Sequence, residues 1–180
     1  MKDQVIQRFK ESADLKTAFA KKNCDKIIEV VHLITGSLKS GNKIMLFGNG
    51  GSAADAQHIA AEFINRLRKS KRDRPPLAAL ALTTDTSILT SISNDSDFSN
   101  IFSRQIRALG KTPNLIKAIK VAQEMGIKTL GLTGKGGGEM GTLVDYHLNA
   151  ESNDVLRIQE VHITLSHVIC ELVEQELLQD

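Results

Sequence analysis

Gly48-Asn49-Gly50-Gly51-Ser52 follows the apolar run Lys43 to Phe47 and leads into a helical stretch in which His58 and Glu62 stand four residues apart. Glycines let a backbone approach a ligand closely, and the first amides of a helix attract an anion such as phosphate. The segment therefore reads as a strand, a tight turn and an anion-binding helix start. An imidazole and a carboxylate at i and i+4 share one helix face, where they could hold a metal or move a proton. Phosphate binding and acid–base chemistry are thus neighbours along this chain. A second glycine run, Gly134-Lys135-Gly136-Gly137-Gly138, lacks the spacing and the terminal Lys-Ser/Thr of a nucleotide loop, and it reads as a turn.

The elements that must carry these residues follow from periodicity. Val5, Phe9, Leu15, Phe19, Ile27, Ile28, Val31, Ile34 and Leu38 recur at helical spacing, which predicts two helices ending near Gly41. The first has no sheet of its own to cover, and an oligomer partner is the economical use for such a face. The chain then alternates. Strand 43–47 leads to helix 52–68, and a loop closed by Pro75-Pro76 leads to strand 77–82. Thr83 to Ser87 caps a helix to about Ser93, and Asn94-Asp95 breaks it before a helix over 98–109. Strands over 127–132 and 145–148 precede a long helix over 155–178. Alternation of this kind predicts an α/β fold: one domain with an open, mostly parallel, flavodoxin-like or Rossmann-like sheet covered by helices on both faces. Ligands in such sheets bind at the carboxyl ends of the strands. One junction breaks the pattern. The helix ending at Gly110 is followed at once by Lys111-Thr112-Pro113, with Thr112 as N-cap and Pro113 in the first helical position, so a strand is missing between Gly110 and Lys111.

Composition narrows the class. A chain of 180 residues, 41% hydrophobic, supports one domain, and a net charge of +2 gives no ground for a nucleic-acid or membrane surface. The basic run Arg66, Arg68, Lys69, Lys71, Arg72 and Arg74 reads as a solvated helix end and loop, or as an aid in drawing in an anionic substrate. Cys24 and Cys170 lie in apolar-periodic stretches without metal-like spacing, so buried free thiols and a cytoplasmic setting are expected. No signal-peptide core and no membrane-length apolar stretch is present in the sequence.

Taken together, Gly48 to His58, Glu62, Ala81-Leu82-Thr83-Thr84-Asp85, Ser93-Asn94-Asp95, Phe102-Ser103-Arg104-Gln105, Leu132-Thr133-Gly134-Lys135 and Arg157 to His162 resemble the bacterial phosphoheptose isomerases, enzymes of the sugar isomerase (SIS) domain family. The likeness covers nearly the whole chain in order. It implies a single SIS domain over 1–180, with N-terminal helices over 1–40 and an α/β core over 41–180. It also implies conversion of sedoheptulose 7-phosphate to D-glycero-D-manno-heptose 7-phosphate, the first step toward the heptose of lipopolysaccharide or related glycans. A cytoplasmic homotetramer with active sites between subunits and one zinc per subunit is implied as well. The sequence departs from the family at the odd junction, where the resemblance expects a strand and a Ser-Thr-Ser-Gly phosphate loop. The departure leaves two expectations, a disordered segment at this junction or a protein without a central strand, the second with weakened phosphate affinity and activity.

Residue by residue, the resemblance makes Glu62 the catalytic carboxylate and His167 the catalytic imidazole, with His58, Glu62, Gln159 and His167 as zinc ligands. A rotation of about 100° per residue puts His167 on a broad face with Gln159 or Glu160 and turns His162 away, without choosing between the first two. The resemblance selects Gln159, leaving Glu160 for an ion pair and His162 as a packed or surface residue. It assigns Asn49, Gly50, Gly51, Ser52, Glu62, Asn94, Asp95, Thr112 and Gln159 to substrate. Asn94-Asp95 is also an ordinary turn pair, Thr112 also a plain N-cap, and Asp85 a cap or an orienting residue. Relatives that bind a replication-initiator partner instead of catalysing replace Glu62 and His167, both of which are present here.

Overall fold

The computed structural model describes residues 1–65, 74–109 and 115–178. The junction between Gly110 and Lys111, Thr112 and most of the basic run lie outside them. In chain order the elements are α1 (Lys2–Lys39), β1 (Ile44–Leu46), α2 (Gly51–Ile64), β2 (Ala79–Ala81) and α3 (Thr86–Asp95). A 3-10 turn (Phe98–Asn100) and α4 (Ile101–Leu109) follow, and then α5 (Leu115–Glu124), β3 (Leu130–Gly134), α6 (Gly138–Leu143), β4 (Tyr146–Ala150) and α7 (Val155–Leu178).

The N-terminal region is one helix of 38 residues rather than two. Its polar middle is compatible with helix, and Phe19, Ile27, Val30 and Val31 stay on a single buried stripe that packs along α7, so the tertiary contact carries the helix through. Asn94 and Asp95 do not break α3, which runs through them and stops at Ser96. The Asp85 side chain accepts the Ile88 amide at 2.9 Å, so Asp85 is the N-cap of α3. The glycine run 134–138 is a turn as expected, and it opens the short helix α6, which the periodicity did not show.

β1 pairs in parallel with β2 (Ile44↔Ala79, Leu46↔Ala81), and β3 pairs in parallel with β4 (Leu130↔Tyr146, Gly134↔Ala150). These are two separate two-stranded sheets, where the sequence pattern led us to expect one continuous sheet. Among the described strands, β1 and β3 do not pair with each other.

Alternation along β1 decides which side each residue serves. Ile44 and Leu46 pack with the larger core, built from α1, α2 and α7 around Val30, Ile59, Phe63, Val161, Leu165 and Val173. Met45 and Phe47 turn to the smaller one, formed by Leu82, Ile101, Phe102 and Ile106. Helices therefore cover both faces, and α2 and α7 lie side by side over the first. No helix among the described residues is long and apolar enough to cross a membrane.

Candidate active site

The turn after β1 is dictated by its glycines. Gly50, the N-cap of α2, sits at φ 55° and ψ −123°, a conformation that side-chain-bearing residues rarely adopt. At Gly48 a Cβ would stand 2.7 Å from that of Ser52, so the turn closes on a bare backbone. The Ser52 and Ala53 amides bond back to the carbonyls of Asn49 and Gly50, both at 3.1 Å. Asn49, Gly50 and Gly51 are exposed and Ser52 half-buried, at the carboxyl end of β1, where the sequence pattern placed the ligand. The tip of β2 is tied to the same helix: Thr83 Oγ1 donates to the Ala53 carbonyl, and Gln57 Nε2 donates to the Thr83 carbonyl, both at 3.2 Å.

From this start α2 runs alongside α7, and the pairing can be followed residue by residue. Gly51 faces Gln159, whose amide nitrogen would be 2.5 Å from a Cβ at that position. Further along, His58 Nε2 lies 2.8 Å from His167 Nε2, with the two rings edge to face and their centroids 5.0 Å apart. His58 Nε2 is 3.6 Å from Glu62 Oε1. One donor atom from each of His58, Glu62 and His167 lies within 4.8 Å of the others. The i, i+4 pair that the sequence showed on α2 is thus completed from α7 across the helix–helix contact. Two imidazole nitrogens and a carboxylate oxygen suit a borderline cation such as zinc, so the donor set fits.

A SIS domain profile matches residues 7–134. Over 97% of this chain and 97% of the relative, the sequence is 46% identical to a phosphoheptose isomerase of Aquifex aeolicus. The chain belongs to the phosphoheptose isomerases of the SIS domain family. A phosphoheptose isomerase of Thermodesulfovibrio yellowstonii is 45% identical over 99% of this chain and 94% of its own. Among solved structures, the phosphoheptose isomerase from Neisseria gonorrhoeae superimposes with a TM-score of 0.85 at 37% identity, covering 97% of this chain and 98% of that one. One from Francisella tularensis gives 0.87 at 29% identity, with 96% and 97% covered. The alignment to the Thermodesulfovibrio sequence runs to 192 residues against a chain of 180, so that family member carries residues with no counterpart here.

Among the other residues that the family likeness singled out, Asn94 donates to Asp95 Oδ1 at 2.8 Å in the exposed last turn of α3, so these two bond to each other rather than to the histidine group. Glu160 pairs with Arg157 at 2.9 Å, as expected. His162 is buried, and its Nε2 meets the Thr133 carbonyl at 3.0 Å; burial holds its pKa below the ordinary value, partly offset by that bond. Both cysteines are free, but only Cys170 is buried; Cys24, at the margin of the buried stripe of α1, is exposed. Burial, with the Glu62 carboxylate nearby, pushes the Cys170 thiol up to about 12.

Two residues near the site escaped the sequence reading. Asp55, half-buried on α2 one turn before His58, has its carboxyl raised by burial, opposed by the imidazoles of His162, His58 and His167. Its spacing of three from His58 was the available signal. Arg74 was grouped with a solvated basic run, yet it is 8% exposed. Nothing in a run of six cations distinguishes the one that turns inward.

Proposed function

We propose that this chain is a sugar-phosphate aldose–ketose isomerase that converts D-sedoheptulose 7-phosphate to D-glycero-D-manno-heptose 7-phosphate, the first step toward ADP-heptose and the lipopolysaccharide core. The observation that carries the reading is the convergence of His58, Glu62 and His167 between two helices of a chain that belongs to this family.

The reaction moves a proton between C1 and C2 through an enediol or enediolate. Glu62 is the base that shuttles it: a carboxylate can take the proton from one carbon and return it to the next. His167, from the facing helix, is the acid toward the carbonyl or ring oxygen and assists ring opening. Zinc, one per subunit and held by His58, Glu62, Gln159 and His167, would supply Lewis-acid polarisation of the sugar oxygens when bound. Gln159, lying against Gly51, links the metal group to the turn Asn49 to Ser52, which takes the phosphorylated sugar with Asn94, Asp95 and Thr112. We place the residues that the relatives carry in excess at the junction of Gly110 and Lys111. The separation of the β1–β2 and β3–β4 pairs supports that placement. Phosphate affinity then rests on the α2 turn and Thr112.

The assembly is a homotetramer with active sites at subunit interfaces. Supporting it, Val5, Ile6 and Phe9 on α1 are exposed, and Val155 and Leu156 at the start of α7 are exposed too. The two helices meet there, where Arg157 Nη1 donates to the Arg8 carbonyl. Free thiols at Cys24 and Cys170 support a cytoplasmic setting.

Turnover of sedoheptulose 7-phosphate with zinc and with chelator, alongside Glu62→Gln, tests the reading. We expect turnover by the wild type and a loss of about 10²–10⁴-fold in the variant, the contribution of a positioned base. Absence of turnover in the zinc-loaded wild type, or an undiminished rate in Glu62→Gln, would refute it.

A further inference from the structure

We propose that Arg74 is a positioning residue for the His58–Glu62–His167 group, acting through the last carbonyls of α2 and anchored by Glu174 on α7. The inference rests on the isomerase reading above and on the metal group assigned there. Arg74 lies in the segment leading into β2, and its side chain is 4% exposed, that of Glu174 11%. Nη2 donates to the carbonyl of Glu62 at 2.8 Å, and Nη1 donates to that of Phe63 at 2.8 Å and of Pro75 at 3.2 Å. Nε faces Glu174 Oε1 at 3.4 Å.

α2 ends at Ile64, and the last carbonyls of a helix have no donor within the helix itself. Arg74 takes two of these, one belonging to Glu62, and its charge sits at the negative end of the helix dipole. The same guanidinium reaches α7 at Glu174, seven residues, or about two turns, beyond His167. One planar group therefore holds the end of the helix that supplies His58 and Glu62 against the helix that supplies His167. Its Nε makes no hydrogen bond, so the pairing with Glu174 is one of charge rather than of good hydrogen-bond geometry. A buried ion pair of that quality contributes little net stability compared with apolar residues of similar volume. The two short bonds to the carbonyls need a fork, which lysine lacks. The ion pair is thus poor as a stabilising device, while the bonds to the carbonyls are specific as geometric ones.

Arg74→Lys and the double variant Arg74→Met/Glu174→Met separate these roles, read by zinc affinity in competition with a chromophoric chelator, by thermal midpoint, and by kcat and KM. The expected result is a double variant that folds but melts about 2–10 °C lower, because methionine leaves the Glu62 carbonyl without its donor, binds zinc ~10–100-fold more weakly, and loses kcat with KM within about twofold. Arg74→Lys should shift in the same direction. Zinc affinity within about twofold of the wild type in the folded double variant overturns the proposal; should that variant fail to fold, the same result in Arg74→Lys overturns it. No zinc binding by the wild type also overturns it. A wild type that binds zinc without turning over the sugar phosphate defeats the isomerase reading instead, and the affinities of the variants still judge Arg74.

Discussion

Gly51→Ala tests the site with little disturbance of the fold. Gly51 is not at a positive φ, so alanine fits its backbone. The added Cβ, however, would lie 2.5 Å from Nε2, 2.9 Å from Cδ and 3.0 Å from Oε1 of Gln159. Ordinary contacts between such atoms are near 3.5 Å, so the amide must retreat by about 1 Å. Moving the end of a flexible side chain off its rotamer costs about 1 kcal/mol or less. Alanine returns a similar amount, up to about 1 kcal/mol, through better helix propensity and a less free unfolded chain. The melting temperature should therefore hold within ~2–4 °C, the shift that about 1 kcal/mol produces at this size. Catalysis should not be spared, because a displacement of about 1 Å in a positioning group can cost ~10²-fold in kcat/KM. The assay pairs thermal melts with isomerase kinetics for Gly51→Ala, Gln159→Ala and the double variant. With the Gln159 amide already removed, the extra methyl has nothing to displace, so the double variant should be no worse than Gln159→Ala alone. Full activity in Gly51→Ala, losses that add in full, or a fall in melting temperature beyond about 5 °C would each refute the reasoning, the last by showing that the backbone gives way instead of Gln159.

Burial lowers the pKa of His162 from its ordinary 6.5, so below that pH the unfolded chain binds more protons than the folded one. Stability contributed by the neutral ring is present above about pH 6.5, is lost as pH falls toward the folded-state pKa, and levels off below it. Thermal melts between about pH 7.5 and 5.5 should show a smaller acid-side drop in His162→Gln, which keeps a donor for the Thr133 carbonyl but does not titrate; an unchanged drop would assign it to other groups. Brief alkylation followed by intact mass should give one adduct on the native protein, at the exposed Cys24, and two after unfolding, since the Cys170 thiol is buried with its pKa near 12; a native double adduct would contradict that burial.

The sequence by itself determined the local pieces: the glycine turn after an apolar run, the His58–Glu62 pair at one helical turn, the capping stretch Thr83 to Ser87 and the full extent of α7. Each depends on neighbours within a few positions, where backbone sterics, helix period and cap chemistry act without the rest of the chain. Reading the residues together as a family pattern extended this to His167 and Gln159, which periodicity alone could not separate from Glu160. What tertiary structure decided involves residues distant in sequence. Whether α1 is one helix or two was settled by the long stripe that α7 offers it, and the pairing of the described strands, β1 with β2 and β3 with β4, by contacts between segments separated in sequence. The meeting of His58 with His167 at 2.8 Å comes from the packing of α2 on α7. The inward turn of Arg74 arises in the same way, since a guanidinium is buried only where unpaired carbonyls and a carboxylate converge, and those come from two different helices.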